Sequence, residues 1–505
     1  MTKTSNITKA SITKRMNSVK RTNHPKSKNA TKVPNLHFDL IDVCHNDENA
    51  EIPNTTRMLK RNLKKDPISS RNNPISSRPE SSRTSLSYQN PVIKNGPISA
   101  DDAIKKYSMQ LNVYELAEIN TFKDIYFIGR SEAKIKPNKT GASNYGYDDK
   151  LHHYKVRIGD QIAYRFEIRS VIGKGAFGQV LHCIDHKTGD FIALKMIVNT
   201  PVMNEQGQIE ASVLQYLQGC EDYENSRVME GLDFFVFRNH ICITSQVLGS
   251  NLYDMCRKMK FKPLSIIQVR SISKDILKGL EFIHKNNVVH CDIKPENILL
   301  CPGTTKKVKI IDFGSSCMKG EEKFEYIQSR FYRAPEVILG LRYGPPMDIW
   351  SFACIVCELL IGHPLFGGID EPEQMELYME ALGMPPTDMI ERSPRKNYFF
   401  DENYKTISHS SSRKRRRVGS SSIASLTKIL NPDLLDLLSK CFEWDQENRI
   451  TASEALQHPF FQNKHNSNEK NANEAVETTK VKKSPKKKPS NPKSNVPLKI
   501  KARWR

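Results

Sequence analysis

A glycine-rich stretch with a strand-like run on each side limits the folds open to this chain. Ile172-Gly173-Lys174-Gly175-Ala176-Phe177-Gly178-Gln179-Val180 sits between Tyr164–Ile172 and Val180–Ile184, both of which read as strands. A Gly-x-Gly-x-x-Gly run that opens a helix belongs to a doubly wound dinucleotide-binding sheet. Here a strand follows instead, with Val180 two residues past the last glycine. The pattern calls for a β-hairpin lid whose glycines let backbone N–H groups approach nucleotide phosphates.

The next apolar strand, Phe191-Ile192-Ala193-Leu194-Lys195, ends on an ammonium in an otherwise buried alternation. A buried charge needs a partner. Glu210, in the helical stretch Glu205–Leu217, is the candidate, and pairing would aim Lys195 at the α- and β-phosphates of ATP.

Further along, His290-Cys291-Asp292-Ile293-Lys294-Pro295-Glu296-Asn297 places a carboxylate, an ammonium and an amide on one short loop. Phosphoryl transfer from ATP to a hydroxyl requires that order: Asp292 to take the proton, Lys294 to neutralise the transferring group, Asn297 to hold Mg²⁺. After a strand at Lys307–Ile311, Asp312-Phe313-Gly314 supplies a second magnesium ligand, Asp312, with Phe313 packing inward. Ala334-Pro335-Glu336, Asp348 at the start of an apolar helix, and Arg449 as a partner for Glu336 read as structural anchors. A scaffold that keeps the fold without catalysis is the competing class. The presence of Lys195, Asp292 and Asp312 together speaks against it.

Composition bounds what surrounds this region. The net charge of +21 lies in the flanks: residues 1–100 hold 18 Lys and Arg against 7 Asp and Glu, residues 464–505 hold 13 against 3, and the middle balances. Both flanks are rich in Lys, Asn, Ser, Thr and Pro and poor in aromatics, so they are expected to be disordered. Lys60–Lys65 and Lys482–Lys488 read either as import or nucleic-acid patches or as solvated tails, and Ser484-Pro485 as a phosphosite. Weak nucleic-acid contact through the tails is compatible with catalysis in the middle. Eleven scattered cysteines, no apolar leader and no apolar run of transmembrane length point to an intracellular protein of the cytoplasm or nucleus. Cys354 and Cys357 have redox-motif spacing, but they fall in the apolar helix Trp350–Ile361 and read as core. The basic run Arg413–Arg417, in a Ser-rich loop before the helix Pro432–Phe442, reads as an import signal, a docking patch or a solvated insertion.

From Phe166 to about Phe460 the order of motifs resembles the eukaryotic protein kinases, and Lys294 is of the serine/threonine type. Finer features resemble the dual-specificity tyrosine-regulated kinases, the DYRK family. Cys291 stands where Arg is usual, Ser315-Ser316-Cys317 follows Asp312-Phe313-Gly314, and the activation segment reads Phe324-Glu325-Tyr326-Ile327-Gln328-Ser329-Arg330-Phe331-Tyr332-Arg333. Asn144–Asp149 is similar to that family's homology box, and Ala103–Arg130 to the N-terminal accessory region of class II members.

The resemblance implies an α+β, bilobal kinase fold: a small β-rich lobe, a larger helical lobe, and disordered basic tails. The expected divisions are a disordered segment 1–98, an accessory region and homology box 99–165, a kinase domain 166–460 and a tail 461–505. Adenine would sit at a hinge of Ser245, Gln246, Val247 and Leu248, in a monomer that acts on protein Ser/Thr, next to Pro and with Arg upstream received by Asp254 and Glu296. Tyr326 would be phosphorylated once in cis, and Arg330 and Arg333 would clamp its phosphate, because Cys291 offers no guanidinium. Three positions depart from the family: Ser245 replaces a bulky Phe and is expected to open a pocket behind the adenine, Gln246 replaces an acidic hinge residue, and Phe324 replaces a first Tyr. Cys291 and Cys317 are expected near one another, as candidates for a redox-sensitive disulfide.

Overall fold

The computed structural model describes residues 92–93, 96–321, 326–407 and 416–462. Residues 1–91 and 463–505 with their basic runs, Phe324 and Arg413–Arg415 lie outside those residues. Val92 and Ile98, expected in the disordered N-terminal segment, instead bridge Phe127 and Ile125, and Phe461 and Gln462, expected in the tail, close a helix that starts at Pro459.

Two short helices, α1 (Ala100–Tyr107) and α2 (Val113–Glu118), and then a left-handed turn, α3 (Ala142–Tyr145), precede the main sheet; Ser143, Asn144 and Tyr145 of that turn have φ of +51° to +53°. Ser99 caps α1 by accepting from Asp102 N, and Asn112 and Glu115 form a reciprocal capping box on α2. These local signals let such short segments hold a helix at all.

The small lobe is a six-stranded antiparallel sheet of β1 (Gln161–Ile162), β2 (Phe166–Gly175), β3 (Gly178–Asp185), β4 (Phe191–Ile197), β5 (Gly231–Phe237) and β6 (His240–Gln246), in the order β1-β2-β3-β4-β6-β5. Its first long strand starts two residues later than the sequence suggests. Tyr164 has φ +50° in a turn, with its hydroxyl donating to Glu118 Oε2 at 2.8 Å. The same strand also runs past Ile172, because the glycine hairpin pairs Gly175 with Gly178.

Alternation along β4 sorts its side chains between two faces. Ile192, Leu194 and Met196 pack with Ile168, Leu181, Cys242, Tyr147 and Tyr154, so the segment before the sheet covers one face. Ile197 joins the other core, with Ala211 and Leu214 of α4 (Pro201–Gln218). Lys195 shares that second face. Thr200 caps α4, Pro201 opens it, and Gly207 lets it approach the sheet: a Cβ there would lie 3.1 Å from Ile197 and 3.2 Å from Ile241.

The large lobe contains α5 (Leu252–Lys258), α6 (Ile266–Lys285), β7 (Val288–Val289), β8 (Ile298–Leu300), β9 (Val308–Ile310), β10 (Cys317–Met318), α7 (Pro335–Ile338), α8 (Pro346–Ile361) and α9 (Glu371–Leu382). Helix α8 is apolar on nearly every side and accordingly central. Trp350 packs edge-on against Tyr378 and Phe442 at ring distances of 4.9 and 5.1 Å. Cys354 and Cys357 are buried in this helix as free thiols, part of its packing. Arg449 makes a buried bidentate pair with Glu336 at 2.7 and 2.9 Å. Arg416, at the end of the basic run, is tied to Glu373 at 3.1 Å and Glu380 at 2.7 Å on α9, so this arginine is a structural tether.

Candidate active site

The glycine hairpin closes as β2 pairs with β3, leaving Ala176 and Phe177 at its tip. Gly178 has φ +157°, and a Cβ at that position would lie 2.3 Å from the Met196 carbonyl. Only glycine fits there. Ile172, Gly173, Lys174 and Gly175 form the exposed outer strand end, while Gln179 and Val180 lie in β3, and Val180 is the register partner of Lys195.

Lys195 Nζ donates to both carboxylate oxygens of Glu210, at 2.8 and 2.7 Å, and to Asp312 Oδ1 at 2.7 Å. Helix α4 is therefore docked with its glutamate inward. Burial pushes Glu210 up to about 7 against the pull of Lys195, and the negative charge of Asp312 adds to the rise. For Asp312 burial also acts upward, but Lys195 outweighs it and holds the group below the ordinary carboxyl range. The two carboxylates share one ammonium, which leaves excess negative charge in a desolvated place. A divalent cation beside Asp312 fits that deficit and the oxygen donors present.

The catalytic loop converges on the same cleft. Lys294 Nζ donates to Asp292 Oδ2 at 2.5 Å, and Asn297 Nδ2 donates to the Asp292 carbonyl at 2.9 Å and to its Oδ2 at 3.3 Å. With its amide nitrogen engaged there, Asn297 has its oxygen left for a metal. Ile311 N donates to the Asn297 carbonyl at 3.0 Å, which joins the loop to the residue before Asp312.

The loop is held in a strained shape. Cys291 and Asp312 have φ +66° and +67°. Such conformations persist where surrounding bonds over-determine them. Asp348, at the start of α8, accepts from the backbone N–H groups of His290 and Cys291 at 2.9 and 3.0 Å and lies 3.0 Å from His284 Nε2. His290 Nε2 donates to the Ile311 carbonyl at 3.0 Å, and its ring lies 5.0 Å from that of the buried Phe313. The Cys291 and Cys317 sulfurs are 3.8 Å apart, both reduced and buried, and burial raises the Cys291 thiol well above its ordinary value.

Sequence reasoning gave no role to two residues of the activation segment. Ser329 donates to Asp292 Oδ1 from its backbone N at 3.1 Å and its hydroxyl at 2.9 Å, and it accepts from Lys294 at 3.2 Å. Gln328 has φ +66°, and its side chain bonds Met347, Ser351 and Ala334. No spacing rule marks either residue, because apart from Ala334, six positions on, their partners are 19 to 37 positions away along the chain.

Tyr326 is exposed, with the Arg333 guanidinium 3.9 Å above its ring centre. A hydrogen bond from Arg333 lowers the phenol's pKa, burial opposes it, and the charges of Arg333 and then Arg330 add to the fall. Arg333 itself is buried and donates to the Ile327 and Gln328 carbonyls at 2.9 and 2.7 Å and to Glu371 at 2.8 Å. Arg330 reaches the Ile369 carbonyl.

At the hinge, Ser245 is the last buried residue of β6 and Gln246 ends the strand, with Val247 and Leu248 leading into the large lobe. Ser245 pairs in register with Gly231, and the Phe234 ring fills the space beside that glycine, 2.5 Å from where its Cβ would be. Gln246 Nε2 lies 3.5 Å from Glu230. On the large lobe, Glu296 is mostly buried and its Oε2 has no hydrogen-bond partner. Burial raises its pKa, and Asp292 and Asp254 add to the rise. Asp254 is half-exposed and pairs with Arg257 at 2.8 Å.

Residues 166–461 match the family model described as protein kinase domain. Among similar proteins, the DYRK-family kinase pom1 of Schizosaccharomyces pombe is 42% identical over 357 residues, covering 70% of this chain and 33% of pom1. Dual specificity tyrosine-phosphorylation-regulated kinase 3 of Rattus norvegicus is 40% identical over 382 residues, covering 72% of this chain and 65% of that protein. The same kinase of Macaca fascicularis, also 40% identical, is covered to 67%. The chain thus spans between a third and about two thirds of the length of the relatives it matches. With a kinase domain over most of its length and a closed Lys195–Glu210–Asp312 triad beside Asp292, Lys294 and Asn297, the chain belongs to the protein kinases, in their DYRK family.

Proposed function

We propose that the chain is a class II, dual-specificity kinase that transfers the γ-phosphoryl group of ATP to Ser or Thr of proteins and matures by phosphorylating its own Tyr326. The reading rests on one observation: the Asp292–Lys294–Asn297 loop and the Lys195–Glu210–Asp312 triad are each closed by their own hydrogen bonds and are joined through Ile311 N on the Asn297 carbonyl. Asp312 and the Asn297 oxygen would hold Mg²⁺, which supplies charge neutralisation at the phosphates when bound. Lys195 orients the α- and β-phosphates under the glycine hairpin. Asp292 receives the proton of the incoming hydroxyl, and Lys294 steadies the transferring group. Ser329, bonded to both, fixes the two side chains relative to each other and to the segment on which the substrate lies.

Two features support selectivity for an upstream Arg and a following Pro. The buried, unpartnered oxygen of Glu296 calls for a cationic donor, and Asp254 is close enough to add to its field. The left-handed Gln328 turns its carbonyl onto Arg333, so that acceptor is taken. A substrate N–H meeting this surface lacks a partner, whereas proline has none to satisfy. Maturation rests on Arg333 and Arg330, which already lower the Tyr326 phenol's pKa and would meet a phosphate there with charge-assisted bonds.

The test is phosphate transfer from labelled ATP by the purified chain to peptide libraries, in EDTA and with added Mg²⁺. Asp292→Asn should lose at least about a hundredfold in kcat, as expected for removing a positioned general base. Tyr326→Phe made in cells should be poorly active, and full activity of that variant would overturn the maturation scheme. Among the described residues no helix is long and apolar enough to cross a membrane. Weak nucleic-acid contact remains assigned to the basic tails, and salt-sensitive retention on DNA or RNA, lost on deleting 464–505, is its check.

A further inference from the structure

We propose that a groove beside the first half of α6 binds residues 40–51 of this same chain. The groove, about 330 Å³ in volume, is lined by Ile267, Arg270, Ser271, Lys274, Lys306 and Phe461. The four α6 residues follow at intervals of three, one and three, so they share one face of the helix. Lys306 comes from the turn between β8 and β9, and Ser271 Oγ donates to its carbonyl at 3.2 Å, which fixes that turn against the helix. Phe461 comes from the C-terminal helix Pro459–Gln462, and Arg270 lies over the neighbouring Phe460 ring at 4.7 Å. Ile267 is 39% exposed, an aliphatic surface between cations.

The lining contains three cations and no carboxylate. The nearby acids of α6 are committed elsewhere: Asp275 pairs with Arg227 at 3.1 Å and accepts from Val308 N, and Glu281 pairs with Lys285 at 2.9 Å and accepts from Ser453. Lys274 and Lys306 are exposed and have no ion pair among the described residues. The groove therefore fits a segment that alternates acids with aliphatic side chains.

The chain carries such a segment in an otherwise basic flank. Leu40-Ile41-Asp42-Val43-Cys44-His45-Asn46-Asp47-Glu48-Asn49-Ala50-Glu51 holds four of the seven acids of residues 1–100, and no Lys or Arg occurs between Lys32 and Arg57. Leu40, Ile41 and Val43 match the apolar surface, and the acids match the lysines. The 40 residues from 52 to 91 join the segment to the described chain. Forty residues of chain give a mean reach of roughly 35 Å, the scale of a domain. Tethering gives an effective concentration on the order of millimolar, so even a weak site is filled in cis.

Zero-length carbodiimide coupling of the full-length chain at nanomolar concentration, followed by peptide mass spectrometry, tests this. Amide links from Lys274 or Lys306 to Asp42, Asp47, Glu48 or Glu51 are expected in monomer-sized protein. Lys274→Glu with Lys306→Glu should abolish them, and adding Asp47→Lys with Glu48→Lys to that variant should restore links of reversed polarity. Unchanged melting and unchanged phosphorylation of a short peptide show that these variants fold. Absence of the links in the native chain, failure of the reversed-polarity links to appear in the variant with both sides exchanged, or confinement of the links to dimer-sized bands would each overturn the proposal. So would equal binding of a fluorescent acidic peptide to the native chain and to one with the four acids neutralised, since that result means the groove stands open.

Discussion

Glu296 is the residue on which the proposed selectivity for an upstream Arg turns. It is mostly buried with one oxygen unpartnered, and a glutamine there would keep the shape and lose the charge. A hydrogen bond between ions contributes about 1.5–3 kcal/mol, so Glu296→Gln should lower kcat/KM roughly 10- to 150-fold for peptides with an upstream Arg. Peptides without that Arg should change little, and equal losses on both would remove Glu296 from the recognition site. Ser245 carries a second prediction. A small residue before the hinge leaves room that an aromatic ring would occupy, although Phe234 already folds over Gly231 beside it. Ser245→Phe should weaken bulky ATP-competitive inhibitors by at least about tenfold, the scale of one or two buried methylenes. ATP itself should bind as before. Both residues stood out in the sequence because each occupies a position the family motifs define. Ser329 and Gln328 did not, since their roles come from contacts with Asp292, Arg333 and Ser351 that no local pattern announces.

At the scale of elements, the turn between β5 and β6 joins the accessory region to the sheet. Arg238 and Asn239 both have positive φ, as a two-residue hairpin turn requires. Arg238 is buried, donating to Glu118 at 2.8 and 2.7 Å, to Tyr154 Oη at 2.8 Å and to Glu115 at 3.3 Å, with its guanidinium 3.9 Å from the Tyr147 ring centre. The homology-box residue Asn144 bonds the Arg238 carbonyl at 2.6 Å, and Asp148 lies 2.9 Å from His240 and accepts from Asn199 at 3.0 Å, one residue before the cap of α4. Arg238→Ala would leave the buried Glu118 without its cation, while Glu115 keeps Lys134 at 2.8 Å, a loss of about 3–5 kcal/mol. The accessory region, residues 99–165, should then become cleavable by trypsin at concentrations that spare the native chain. Resistance equal to the native protein would show that the pair is not what holds it. The elements themselves were largely legible: Glu210's helix, the glycine hairpin and the apolar α8 all follow from periodicity. Their ends moved where distant groups intervened, as at Tyr164, pulled into a turn by Glu118.

For the molecule as a whole, the interface between accessory region and sheet makes stability depend on pH. Burial pushes Asp160 up to about 6 despite Lys134 at 3.8 Å, and its Oδ2 has no partner. The folded value lies above the unfolded one, near 3.9, so the native state holds this proton more tightly. The stability it adds is complete below about pH 4 and is lost as pH rises through about 6. Asp160→Asn should therefore raise stability by about 2 kcal/mol at pH 7.5, seen as a higher melting temperature, and the gain should shrink toward pH 5. A gain independent of pH would assign the effect to something other than this carboxyl. By itself the sequence determined the kinase lineage, the order and spacing of Lys195, Asp292, Lys294, Asn297 and Asp312, and the division between a charge-balanced middle and basic flanks, because these follow from residue identity and short-range order. Only the tertiary structure decided that α4 is docked with Glu210 on Lys195, that Ser329 and Asp348 brace the catalytic loop, that Arg416 tethers its loop to α9, and that Arg238 ties the accessory region to the sheet. Each of those depends on burial and on partners far apart in the chain, and burial sets the strength of a charge far more than its place in the sequence does.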